Sequence, residues 1–115
     1  MVAELRIIGV GGIPEILEGA DLVSVIIQSC QNQSTPIAEN DVLVITQKII
    51  SKSEGRIVPL ADVTPSVFAR QIAEEYERDP RHVEVVLQES RRVVRMDRGI
   101  FLTETHHGFI CANAG

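Results

Sequence analysis

Tryptophan is absent from this sequence, and Tyr76 with three phenylalanines makes up the whole aromatic complement. Any core must therefore be assembled mainly from Val, Ile and Leu. Cysteine occurs only at positions 30 and 111, too sparse for a disulfide framework, and the N-terminus lacks the basic, apolar and small-residue order of a secretory signal. A reduced, cytoplasmic setting is the expectation. Long apolar runs are missing as well: stretches such as Val42 to Ile45 fall far short of the ~20 residues that cross a bilayer. Membrane insertion is excluded on that ground, while peripheral attachment is not. Basic charge is in deficit, with 11 Lys and Arg against 16 Asp and Glu and a formal charge of -5. Nucleic-acid affinity comes mainly from clustered cations that displace counterions, so a nucleic-acid partner is disfavoured. The densest basic run, Arg91, Arg92 and Arg95 around Val93 and Val94, reads as the solvated face of a strand.

What is present suits one domain or part of a larger one: 115 residues are enough for a modest core but not for two independent domains. Glu4 to Val10, rich in β-branched residues, is expected to be a strand running into the glycines at 9, 11 and 12. Asp21 is placed to cap an amphipathic helix whose buried stripe is Leu22, Val25, Ile26 and Cys30. Val42-Leu43-Val44-Ile45 is a continuous apolar run that suits a strand covered on both faces, central in a sheet. The stretch from Thr46 to Arg56 reads as polar, followed by a short strand at Ile57-Val58.

Thr64-Pro65 has the form of an N-cap with proline at the first helical position, and Phe68, Ala69, Ile72, Ala73 and Tyr76 give the following helix its buried face. Asp79-Pro80 repeats the device, opening a second helix that carries Val83, Val86 and Leu87 inward to about Ser90. The two form a helical hairpin. Strands then follow at 91–96, 99–105 and 108–112, separated by turns at Asp97-Arg98-Gly99 and His106-His107-Gly108. The order favours an α+β fold: a mixed or antiparallel sheet, the hairpin, and one further amphipathic helix. The sequence stops at Ala112-Asn113-Ala114-Gly115, directly after a strand, as expected of a domain incomplete at its C-terminus.

Three features invite chemistry. Gly9-Val10-Gly11-Gly12 follows an expected strand, yet it has neither the spacing of a dinucleotide fingerprint nor that of a P-loop, and a plain turn accounts for it. Lys48 and Lys52 would sit at the carboxyl end of a central strand, where open α/β sheets bind ligands, and two ammonium groups there could offset phosphate charge. His106, His107 and Cys111 suggest a metal, but neighbours on a strand point to opposite faces, and a hydrogen-bonded turn histidine is favoured. No metal ligand and no catalytic residue is assigned. Both cysteines are expected to pack as small apolar residues.

Taken together, Gly12-Ile13-Pro14 with Glu18-Gly19-Ala20-Asp21-Leu22, Asp41 to Ile45 with Ser51-Lys52-Ser53-Glu54-Gly55-Arg56, and Glu104 to Gly108 running into Cys111 to Gly115 resemble the coenzyme F-420:L-glutamate ligase family. The likeness spans nearly the whole chain, so that residues 1–115 correspond to the N-terminal portion of such a ligase domain. The resemblance implies a GTP-dependent enzyme that adds L-glutamate to the coenzyme F-420 precursor through an acyl phosphate, assisted by a divalent cation (Mg or Mn) and K, and assembled as a homodimer. Carried over by position, GTP-binding residues fall on Ile13, Pro14, Glu15 and Ile16 and on Gln47, Lys48 and Lys52. Glu15 stands where an apolar residue is expected, and Gln47 and Lys48 replace small hydroxyl residues of some relatives. The family's metal-binding Asp and later carboxylates would follow the ANAG element, beyond this chain. The fragment alone is therefore expected to be inactive. The alternative is a non-catalytic module that binds a nucleotide or a partner through an exposed sheet edge.

Overall fold

The computed structural model describes residues 2–113; Ala114 and Gly115 of the ANAG element lie outside them. The chain divides into two compact units that meet in sequence at Ile57 and Val58. The fold class is α+β, with four α-helices and one antiparallel three-stranded sheet among the described residues.

The first unit holds two helices, α1 (Leu22–Asn32) and α2 (Gln47–Ser53). Asp21 caps α1 as its residue type foretold, accepting from the Ser24 backbone N–H at 3.1 Å and from the Ser24 hydroxyl at 2.7 Å. These bonds favour the ionised form, so the Asp21 carboxyl titrates below its ordinary range, the hydroxyl being the larger cause. The inward face of α1 carries Ile26, Ser29 and Cys30, with Leu22 and Val25 half-buried beside them.

The three strands expected in this unit and at its end are not there. Residues 4–10, 42–45 and 57–58 carry no strand pairing, and Val42 and Val44 are 85% and 92% exposed, the opposite of a central strand. The physical reason is that a strand exists only as a pair: its N–H and C=O groups need a neighbouring ladder, and none of the described residues supplies one to these segments. A further finding concerns Thr46 to Arg56, read from the sequence only as polar, which contains α2. Seven residues are too few for helical periodicity to stand out in a sequence.

The second unit opens with a 3₁₀ turn, Leu60–Asp62, followed by α3 (Val67–Tyr76), α4 (Pro80–Gln88), β1 (Ser90–Asp97), β2 (Ile100–Thr105) and β3 (Ile110–Ala112). The helical hairpin is present. Asp79 caps α4 with Pro80 in its first turn, and α3 starts two residues later than the sequence suggested: Ser66, not Thr64, is the N-cap, accepting from the Ala69 N–H at 3.1 Å. Serine caps as well as threonine does, and here the Ser66 N–H also donates to the Glu84 carboxylate of α4 at 2.8 Å, which ties the start of one helix to the side of the other. Ala69, Ile72 and Ala73 of α3 meet Val83 and Val86 of α4 and Phe101 of β2 in one buried cluster, with Tyr76, Leu87 and Met96 packed at its margin. Phe68, expected in that face, is 53% exposed. The Tyr76 and Phe101 rings meet edge to face, 6.2 Å between centroids.

The sheet runs β1-β2-β3, antiparallel throughout. Arg98 and Gly99, at φ 48° and 77°, form the two-residue turn between β1 and β2, both in the left-handed conformation that matches strand twist. Two register irregularities in β1, at Ser90/Arg92 and Val93/Arg95, break the strict alternation of faces. Arg91, Arg92 and Arg95 consequently all face solvent, as the sequence suggested, and Glu104 of β2 accepts from Arg92 and lies 3.8 Å from Arg91. Thr103, fully buried opposite Val93 and Cys111, has a hydroxyl with no hydrogen-bond partner among the described residues.

Candidate functional site

The residues singled out for phosphate chemistry lie in the first unit, where helix α2 rather than a strand end positions them. Lys48 and Lys52 are four residues apart on α2 and so share a face. Lys52 Nζ donates to the Glu15 carboxylate, joining two segments 37 positions apart in the chain; the lysine side chain is 23% exposed and the glutamate 72%. The Lys52 hydrogen bond, and after it the Lys52 charge, hold the Glu15 carboxyl below its usual range, and Lys48 adds a smaller pull in the same direction.

Backbone contacts fix this arrangement. Gly19 N–H donates to the Ser53 carbonyl at 2.8 Å, and Arg56 N–H returns to the Ser51 carbonyl at 2.8 Å. Gly55, at φ +66°, lies under the Glu18 side chain; a Cβ there would fall 2.4 Å from Glu18 Oε1. The left-handed backbone calls for glycine, whereas the flexible Glu18 side chain could move aside. On the other side of the segment, the Gln33 side chain accepts from Gly11 N–H at 2.9 Å and donates to the Gly9 carbonyl at 3.2 Å. The glycine run is thereby pinned to the C-terminal end of α1.

Of the seven carried-over residues, Glu15 and Lys52 come together as an ion pair, and Lys48 lies one helical turn from Lys52 on α2. Pro14 is exposed beside them, Ile13 is half-buried, and Gln47 is exposed at the first position of α2. Ile16, at 5% exposure, belongs to the packing of this unit and anchors the segment rather than meeting a ligand. Glu18, Gln33 and Ser53 were not foreseen as parts of the arrangement. Only EGR at 54–56 hinted at the first, through its glycine, since a tertiary approach over a turn leaves no periodic trace in sequence.

His106 Nε2 lies 2.9 Å from the Gln88 carbonyl, a hydrogen-bonded turn histidine as the sequence favoured. Cys30 is buried as a small apolar residue and Cys111 half-buried. Among the described residues no group of three or more His, Cys, Asp or Glu side chains converges.

A protein-family model described as F420-0:Gamma-glutamyl ligase matches residues 11–115. The chain belongs to this family. It is 39% identical over 111 residues to the coenzyme F420:L-glutamate ligase of Methanothermobacter thermautotrophicus, covering 96% of this chain and 44% of that protein. The ligase of Methanopyrus kandleri is 39% identical over 101 residues, 88% of this chain and 38% of the relative. That of Halorubrum lacusprofundi is 33% identical over 117 residues, covering 96% and 44%. The chain thus spans less than half the length of these curated relatives. The matched region of the F420-0:gamma-glutamyl ligase family includes the whole Glu15–Lys52 arrangement.

Proposed function

We propose that this chain contributes the phosphate-facing part of a GTP-dependent ligase that joins L-glutamate to a coenzyme F420 precursor by an amide bond. Family membership supports glutamate ligation, and the pairing of Glu15 with Lys52, one turn of α2 from Lys48, supports the nucleotide reading, because it holds a lysine against the segment that follows Pro14. In the proposed reaction a precursor carboxylate oxygen attacks the γ-phosphorus and GDP departs with the bonding pair, leaving an acyl phosphate. The glutamate amine then attacks the acyl carbon, loses a proton, and inorganic phosphate leaves. Lys48 and Lys52 offset negative charge on the phosphates as the first bond breaks. The Glu15 carboxylate keeps Lys52 oriented until phosphate displaces it.

The test is a titration of GTP into the ¹⁵N-labelled chain. Resonances of Lys48 and Lys52 are expected to shift, and Lys52→Ala to weaken binding by about tenfold, the effect of losing one charge-assisted hydrogen bond of ~1.5 kcal/mol. Binding weaker than millimolar in the unaltered chain would overturn the nucleotide reading. The chain alone is proposed to be inactive as a ligase, and GTP-dependent glutamylation by it would overturn that part.

A second reading is a partner-binding module. It is favoured by the position of β3 at the edge of the sheet among the described residues, where Ile110 is 59% exposed and the adjoining Phe109 72%, as in edges that pair with another chain. Homodimer formation through that edge predicts a concentration-dependent mass in light scattering, and a steady monomer mass would exclude it.

A further inference from the structure

The segment at positions 13–16 is entered through Gly9-Val10-Gly11-Gly12, a run poorly suited to hold a position by itself. Glycine loses more backbone freedom on ordering than any other residue, and residues 4–10 carry no strand pairing that would offset the cost. One side chain supplies what a sheet does not. The Gln33 amide oxygen accepts from the Gly11 N–H at 2.9 Å, while its Nε2 donates to the Gly9 carbonyl at 3.2 Å. Bonding the C=O before a residue and the N–H after it is what a neighbouring parallel strand does, so a single primary amide stands in for a ladder.

The clamp is itself rooted. The Gln33 Nε2 also donates to the Thr35 hydroxyl, so both N–H donors and the oxygen of the amide are in use. Thr35 N–H donates to the Cys30 carbonyl at 2.9 Å and Gln33 N–H to that of Ser29 at 3.2 Å, and both of those residues are buried in α1. Beyond the run, Glu15 is held by Lys52 and Ile16 is buried. The segment between is thus fixed at two ends, by Gln33 from α1 and by Lys52 from α2. A main chain held in place before a ligand arrives costs less to order when it binds.

We propose that Gln33 is a positioning residue: it acts through the glycine run to hold residues 13–16 in the arrangement that receives the nucleotide, rather than by touching the nucleotide itself. The inference rests on the nucleotide reading above and adds a residue that the sequence did not mark. Gln33→Met keeps the length of the side chain and removes its three hydrogen bonds, so it separates clamping from packing. GTP is titrated into the ¹⁵N-labelled 115-residue chain and into its Q33M form. Where the run holds its arrangement only a tenth of the time without the clamp, apparent affinity falls about tenfold; that loss is expected, with the Ile26 amide resonance unmoved. A second readout needs no variant. Coupling is reciprocal, so saturating GTP is expected to slow exchange of the Gly11 amide in the unaltered chain by a similar factor. A glutamine with a purely structural role would lower the melting temperature of Q33M without giving Gly11 any response to GTP. Equal GTP affinity in Q33M, or Gly11 exchange that GTP leaves unchanged, would overturn the positioning role while the nucleotide reading stands. Failure of the unaltered chain to bind GTP at millimolar concentration would remove both, and Gly11 exchange decides the matter even where Q33M perturbs α1.

Discussion

The two units use similar amounts of apolar sequence in opposite ways. In the second, Ala69, Ile72, Ala73, Val83, Val86 and Phe101 close on one another in a single cluster. In the first, Ile16, Ile26 and Cys30 are the buried apolar side chains among the described residues, while Leu5, Ile7, Val42 and Val44 are each at least 85% exposed. The difference is one of partners. Helices α3 and α4 satisfy their own backbones and need only one apolar stripe each to meet, and β1 and β2 are joined by a two-residue turn that pairs them at once. The apolar segments of the first unit have no such local neighbour. Polar contacts define that unit instead: Gln33 on the glycine run, Gly19 on Ser53, and Lys52 on Glu15. The residues proposed for phosphate binding lie there, in the unit with the smaller core.

The sharpest test of this contrast is a pair of truncations read by urea unfolding. Phe101→Ala removes a ring that is 2% exposed and is expected to cost about 3–5 kcal/mol, whereas Val44→Ala, at 92% exposure, is expected to change stability by less than about 0.5 kcal/mol. Comparable losses would mean that Val44 is buried in solution and the contrast false. A smaller effect of opposite sign is expected at Thr103, whose buried hydroxyl has no partner among the described residues. Thr103→Val should raise stability by about 1 kcal/mol, the gain from removing an unsatisfied polar group; destabilisation would show that the hydroxyl is bonded.

In the first unit the expected effects are local. Gln33→Ala deletes the acceptor of the Gly11 N–H and should speed exchange of that amide by roughly tenfold, about the loss of one hydrogen bond, with no change at Val83 or Val86. The smallest effect concerns pH in the second unit. Asp79 is lowered from 3.8 to about 2, chiefly by the hydrogen bond from the Arg81 side chain and then by the Arg81 backbone N–H. Because the folded value lies below the unfolded one, this contribution to α4 is fully present above about pH 4 and is lost as pH falls towards 2. Asp79→Asn should flatten that part of the acid titration followed by helical circular dichroism, and an unchanged profile would remove Asp79 from it.

What could be read in the residues alone were features enforced locally. Asp21 and Asp79 cap their helices because a short acidic side chain reaches the first-turn N–H groups. Arg98-Gly99 turns because that turn needs left-handed backbone, and the buried stripes of α1, α3 and α4 follow from helical spacing. The family was legible too, through SK-x-EGR and the segments around it. Tertiary structure alone decided the rest: that Val42 to Ile45 lies exposed, that Lys48 and Lys52 ride on a helix, that Glu15 meets Lys52, and that Gln33 holds the glycine run. β-branched sequence records a preference for pairing but not whether a partner is at hand. Contacts between side chains many positions apart depend on how the chain closes, which no local pattern encodes.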